Sequence, residues 1–213
     1  MPLSPKRAGN TCLARAAGLL RSSTRAEVQP RTREDLRRLA LVMGLVAVDA
    51  YMHWAVLRGL SEVRRQGELP KALRQLQVPF DELVSLAEAT VRARRRGIDS
   101  RPWVQLKNAA QKRLLRMTFQ SSQEVGDAMA MVGVKDGWKT VASTMNLKPE
   151  EVKSRLDKVV GRRNQIVHEG DLARQSRPRR VKLNPIGRKE VGADLDFLTT
   201  LVKALDGVMK GAV

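Results

Sequence analysis

Residues 161–171 read GRRNQIVHEGD and gather Arg162, Arg163, Asn164 and His168, the last being one of two histidines in the chain. An arginine presents a planar fork to a phosphate and stabilises the charge that builds up in phosphoryl transfer. A neutral imidazole can take a proton from a ribose 2′-hydroxyl, and an imidazolium can return one to the leaving oxygen. An asparagine beside them can orient the imidazole or donate to a non-bridging oxygen. Such a group calls for no metal and no cofactor. The plainer alternative is a helix C-terminus at which cations and a histidine complement the dipole. The second histidine lies in residues 47–54, AVDAYMHW, where Asp49 and His53 stand one helical turn apart in an apolar run. That pair reads as structural support ahead of catalysis, and two ligands make a poor metal site.

A helix over 149–168 must carry the first group, with Pro149 and two glutamates at its start. At 100° per residue, Val152, Leu156, Val159 and Val160 make its packing stripe, and Arg163 falls on the same stripe. A guanidinium there needs an anion, a carboxylate or a polar interface. Arg163 and His168 point about 140° apart on an ideal helix, so one straight helix does not bring them together. Either the helix breaks near Gly170, or a second copy faces the first across a two-fold axis and each half-site takes arginine from one chain and histidine from the other.

Composition narrows the partners. Forty Lys and Arg against 22 Asp and Glu give a net charge of +18, which favours a polyanion, nucleic acid ahead of an anionic membrane surface. Apolar residues at 42% supply a core, while an aromatic share of 3% disfavours an all-β fold or a surface that stacks many bases. The lone Cys12 excludes an internal disulfide and fits a reducing cytoplasm. The cationic runs 92–97 (RARRRG) and 177–182 (RPRRVK) read as solvated faces with diffuse affinity for phosphate; Arg177, Arg179, Arg180 and Lys182 follow the motif closely and are candidates to flank its cleft.

Proline and glycine divide the chain into helices. Residues 1–31 read as a flexible basic arm, ordered only if it docks, and 32–213 as one helical domain. Thr32 is a plausible N-cap for a helix running to about Gln66, apolar nearly all round in its middle and therefore a buried bundle helix rather than a membrane span. A short piece follows Pro70. Asp81 can cap a helix with Leu83, Leu86 and Val91 on its apolar positions, ended by Gly97. Further helices are expected over 102–120, in one or two pieces over 121–147 with the second starting near Asp136, over 149–168, and from about Arg188 to Met209. Trp54, Trp103 and Trp138, with Met129, Met131 and Met145, read as core. No strand-period segment is present, so the expected fold is an all-α up-and-down bundle.

At two short motifs the chain resembles the HEPN superfamily, within it the group called RiboL-PSP-HEPN. Arg163-Asn164 with His168 is similar to that family's Arg-x4-6-His motif, and Asp49-Ala50-Tyr51-Met52-His53 to the acid-Ala-aromatic-x-His pattern of its long early helix. The resemblance spans roughly residues 32–210 and is loose outside the motifs. It implies a metal-independent endoribonuclease acting on RNA as a homodimer with a composite site, in toxin–antitoxin or antiviral systems, with an antitoxin or sensor protein as partner. The rival readings are a HEPN-like module that binds a nucleotide or nucleic acid without cleaving it, and a basic helical scaffold.

Overall fold

The computed structural model describes residues 4–66, 69–97, 102–174 and 180–211. Among these the elements are helices α1 (Pro5–Ser22), α2 (Pro30–Gln66), α3 (Lys71–Arg74), α4 (Phe80–Arg95), α5 (Pro102–Leu114), α6 (Ser122–Met131), α7 (Gly137–Thr144), α8 (Pro149–His168) and α9 (Arg188–Gly211). The all-α class is thus present, and the sole β feature among the described residues is an isolated antiparallel bridge between Leu172 and Leu183.

The long helix α2 is the axis of the molecule. Its stripe of Leu41, Leu45, Val48, Met52 and Val56 is sealed from solvent against α1, α8 and α9. By length and composition its apolar stretch could cross a membrane, but 56% of that window is buried within the protein itself. The stripe of α9, with Leu198, Leu201 and Leu205, completes the same core. Across this contact the buried Tyr51 neighbours Asp206, which pairs within α9 with Lys210 at 2.7 Å. Burial, followed by the neighbouring Asp206 carboxylate, pushes the Tyr51 hydroxyl up.

Several boundaries differ from expectation. The α2 helix starts at Pro30, two residues before Thr32, because proline suits a first turn that needs no N–H. Helix α4 starts after Pro79, which leaves Asp81 in the first turn rather than at the cap. Helix α5 stops at Leu114 instead of running to Gln120. Phe119 is driven fully into the core there, and its N–H donates to Asp49 at 2.6 Å, so the chain turns. Asp136 does mark the start of α7, in a left-handed conformation. Trp138 and Met145 pack against the core and Met129 and Met131 lie within it, whereas Trp54 is 37% exposed; the side chain of Trp103 lies outside the described residues.

The main correction concerns residues 1–31. Residues 5–22 of this stretch are not a loose arm: α1 lies along α2 and α9 and buries Pro5, Ala8, Gly9, Leu13 and Ala16. These positions recur at helical spacing, but most are too small to register as a hydrophobic stripe. Small size is what the contact needs, since a Cβ on Gly9 would lie 3.1 Å from Val202, 3.2 Å from Tyr51 and 3.3 Å from the Ala47 carbonyl oxygen. Substituting Gly9→Val should therefore lower folding stability by about 1–3 kcal/mol through overpacking, read by urea denaturation. A free arm would leave the midpoint unchanged.

Candidate functional site

The helix that carries the motif is built from its ends inward. At the start of α8, Glu151 accepts from the Lys148 N–H at 3.0 Å and Pro149 occupies the first position. Val152, Leu156 and Val159 then anchor it in the core. Asp157 accepts from the N–H of Ser122 at 2.8 Å and its hydroxyl at 2.6 Å, which ties α8 to α6. At the other end the helix runs unbroken to His168. Gly170 (φ 61°) and Asp171 (φ 57°) turn the chain left-handed, and the Asp171 N–H donates back to Gln165 at 2.9 Å.

The Asp171 side chain, 1% exposed, is the polar centre of this end of the molecule. Arg162 grips both of its oxygens, one of them at 3.0 Å from Nη2. Arg38 of α2 donates through Nε at 2.5 Å, and Asn184 through Nδ2 at 3.1 Å. Arg38 also donates to the Asn184 carbonyl at 2.9 Å and Arg162 to that of Pro185 at 3.3 Å. Burial alone would raise the Asp171 carboxyl, but the hydrogen bonds from Arg162, Arg38 and Asn184 outweigh it and hold the group below its ordinary value. The end of α8, the segment before α9 and the distant α2 are thereby closed on one carboxylate.

With Arg162 committed to Asp171, Arg163 is left for the solvent side. Its Nη1 donates to Asn164 Oδ1 at 2.9 Å and stands 3.5 Å from His168 Nε2. This corrects the expectation that one straight helix does not bring them together. The Cα–Cβ directions diverge, but the long arginine stem runs along the helix and carries its fork to the imidazole at the terminus. The stem is partly covered, with Nε buried and without a protein partner, while Asn164 and His168 are exposed. Neither is the helix broken before His168. The carboxylate partner expected for an arginine on the packing face belongs to Arg162.

Asp49 and His53 do not join this group. Asp49 lies 11 residues beyond Arg38 on α2, about 16 Å along the axis at 1.5 Å per residue. It accepts from the Phe119 N–H, lies 3.6 Å from His53 Nε2, and the His53 ring meets Phe119 edge-on at 4.8 Å between centroids. The pair holds the α5–α6 turn in place. Of the cationic run, Arg177 and Arg179 lie outside the described residues; Arg180 and Lys182 are exposed. The Ala173 N–H donates to the Lys182 carbonyl at 2.8 Å, so this return strand is fastened to the segment just past the motif. Among the described residues no three His, Cys, Asp or Glu side chains cluster as metal ligands would.

Arg38 and Asn184 were not singled out in the sequence. Arg38 carried a signal, since it continues the buried stripe of Leu41, Leu45, Val48 and Met52 one turn upstream, where a guanidinium requires a carboxylate. Asn184 carried none. A trough of about 790 Å³ between α8 and α9, lined by Ser154, Arg155, Lys158, Arg162, Gln165 and Glu190, also had no linear signature.

Comparison with protein-family models, with curated proteins and with solved structures gives no match to this chain. The likeness to HEPN proteins therefore rests on the two motifs.

Replacing Asp171 with alanine strands Arg38 and Arg162 and should destabilise the fold by about 3–5 kcal/mol in chemical denaturation. The depressed carboxyl contributes fully above its unfolded value of 3.8, and that contribution is lost as pH falls from there through the folded value. A stability profile below pH 4 should accordingly be steeper for the wild type than for Asp171→Asn.

Proposed function

We propose that Arg163, Asn164 and His168 form a metal-independent RNA-cleaving group on a HEPN-like helical bundle. The observation that carries this reading is the convergence, on an exposed helix end, of a guanidinium 2.9 Å from Asn164 and 3.5 Å from the His168 imidazole. For His168 to act as the base, its unprotonated nitrogen must exchange the Arg163 contact for the 2′-hydroxyl, and at 3.5 Å that contact is at the limit of a hydrogen bond and readily exchanged. The Nη2 donors of the guanidinium are available for non-bridging phosphate oxygens.

In the proposed step His168 removes the 2′-hydroxyl proton as the 2′-oxygen bonds to the adjacent phosphorus. The bond from phosphorus to the 5′-oxygen breaks, and the imidazolium returns the proton to that oxygen. Products are a 2′,3′-cyclic phosphate and a 5′-hydroxyl. Arg163 stabilises the charge gained by the phosphoryl oxygens, and Asn164 holds the arginine fork in place. Exposed Arg180 and Lys182 on the fastened return strand would hold flanking phosphates. A toxin or antiviral role, with an antitoxin or sensor protein as partner, belongs to the same proposal.

The test is incubation of purified protein with RNA in EDTA, with the matching DNA as control. Cleavage of RNA alone, with cyclic phosphate ends, is expected. Arg163→Ala and His168→Ala should each lower the rate by about 10²–10⁴-fold. These helix-end changes leave the Asp171 clamp intact, so circular dichroism should be unaltered. Unchanged rates in both variants, or loss of cleavage on chelation, would sink the reading. Because the group is complete in one chain, a mixture of the two variants should stay inactive. Recovery would instead establish a site shared between two chains.

A further inference from the structure

Helix α4 packs on α5 through one face only. Leu86, Ala89, Thr90 and Ala93 are partly covered on that side, and Glu82 pairs there with Lys112 at 2.8 Å. No residue of α4 is buried. A second apolar stripe faces solvent, with Phe80 79% exposed, Leu83 43%, Val84 41% and Val91 49%, and the exposed Ala87 between them. At 100° per residue these five positions fall within about 100° of arc, centred about 130° from the covered face. Phe80, Val84, Ala87 and Val91 follow the alternating four-and-three spacing of a coiled-coil seam. A solvated surface helix has no use for such a stripe.

The charges along α4 select the partner. Its first turn holds Asp81 and Glu82, and its last holds Arg92, Arg94 and Arg95. A parallel copy would set acid against acid and arginine against arginine. An antiparallel copy reverses this. With the two-fold axis midway between Ala87 and Glu88, Val84 of each chain meets Val91 of the other, and Asp81 of each lies on the same flank as the partner's Arg95. The small side chain of Ala87 lets the helices approach at the crossing point. A single surface is thus complementary to itself in both shape and charge, which is what a two-fold contact demands.

We propose that α4 is a self-association surface, pairing antiparallel with α4 of a second copy of this chain. Two helices of this length cover less than a stable standard interface, so the dimer forms reversibly. The seam uses neither α8 nor the segment after it and stands apart from the RNA-cleaving reading.

Sedimentation velocity over a concentration series tests it on the full chain. The wild type should show a concentration-dependent monomer–dimer equilibrium. Val84→Glu and Val91→Glu, both at exposed positions, should each raise the dissociation constant by about tenfold or more while leaving helical content intact. Asp81→Arg should weaken the dimer, and adding Arg94→Glu with Arg95→Glu to that variant should restore it. A protein that stays monomeric up to its solubility limit overturns the proposal. So does a dimer whose association is indifferent to Val84→Glu and Val91→Glu, since it would be held by another face. RNA cleavage by the Val84→Glu variant provides a separate readout of the α8 group.

Discussion

A carboxylate withdrawn from water must be matched by donors, and at Asp171 they come from three segments, one of them 133 positions away along the chain. Arg38 brings the first turns of α2, Arg162 the turn before the last of α8, and Asn184 the segment that leads into α9. An unpaired charge in that position would be prohibitive, so the three segments close together or not at all. The left-handed turn at Gly170 and Asp171 is what aims the carboxylate inward, directly after the helix has presented His168 outward. Core and surface chemistry are therefore separated by three residues.

This closure also explains how two adjacent arginines come to do different work. Neighbouring helical residues point about 100° apart, so one can face a buried anion while the next faces solvent. Arg162 takes the buried carboxylate and ceases to be a mobile cation. Arg163 keeps its fork for Asn164, His168 and whatever anion approaches the helix end. The return strand, fastened by the Ala173–Lys182 hydrogen bond and the Leu172–Leu183 bridge, keeps further cations close to the same end. Elsewhere the positive charge is distributed differently: Arg155 stacks over Phe197 at 4.6 Å, whereas the arginines of α4 flank an open apolar stripe.

Packing around α2 divides the bundle into a dense side and a spare one. Small residues let α1 approach α2 and α9 closely, and Tyr51 neighbours Asp206 within that contact. On the opposite flank α4 is covered on one face alone. The dense side gives the fold its core, while α4 keeps an apolar stripe exposed to solvent.

The linear sequence determined the helical class, the boundaries marked by Pro70, Pro79, Pro149 and Gly97, the burial of the middle of α2, and the full length of α8. Each follows from local physics, namely fixed proline geometry, capping and the 3.6-residue period, which act within a few residues. It also singled out Arg163, Asn164 and His168 by residue type and spacing. Tertiary structure alone decided that residues 5–22 dock as a helix, because small residues carry no hydrophobic signal until a partner comes close. It alone decided that Arg162 rather than Arg163 meets the buried carboxylate, and that Asp49 serves the Phe119 turn. Those assignments depend on Arg38 arriving 133 positions from Asp171, on Phe119 arriving 70 positions from Asp49, and on a left-handed turn that folds Asp171 back onto Arg162 nine positions before it, none of which helical periodicity expresses.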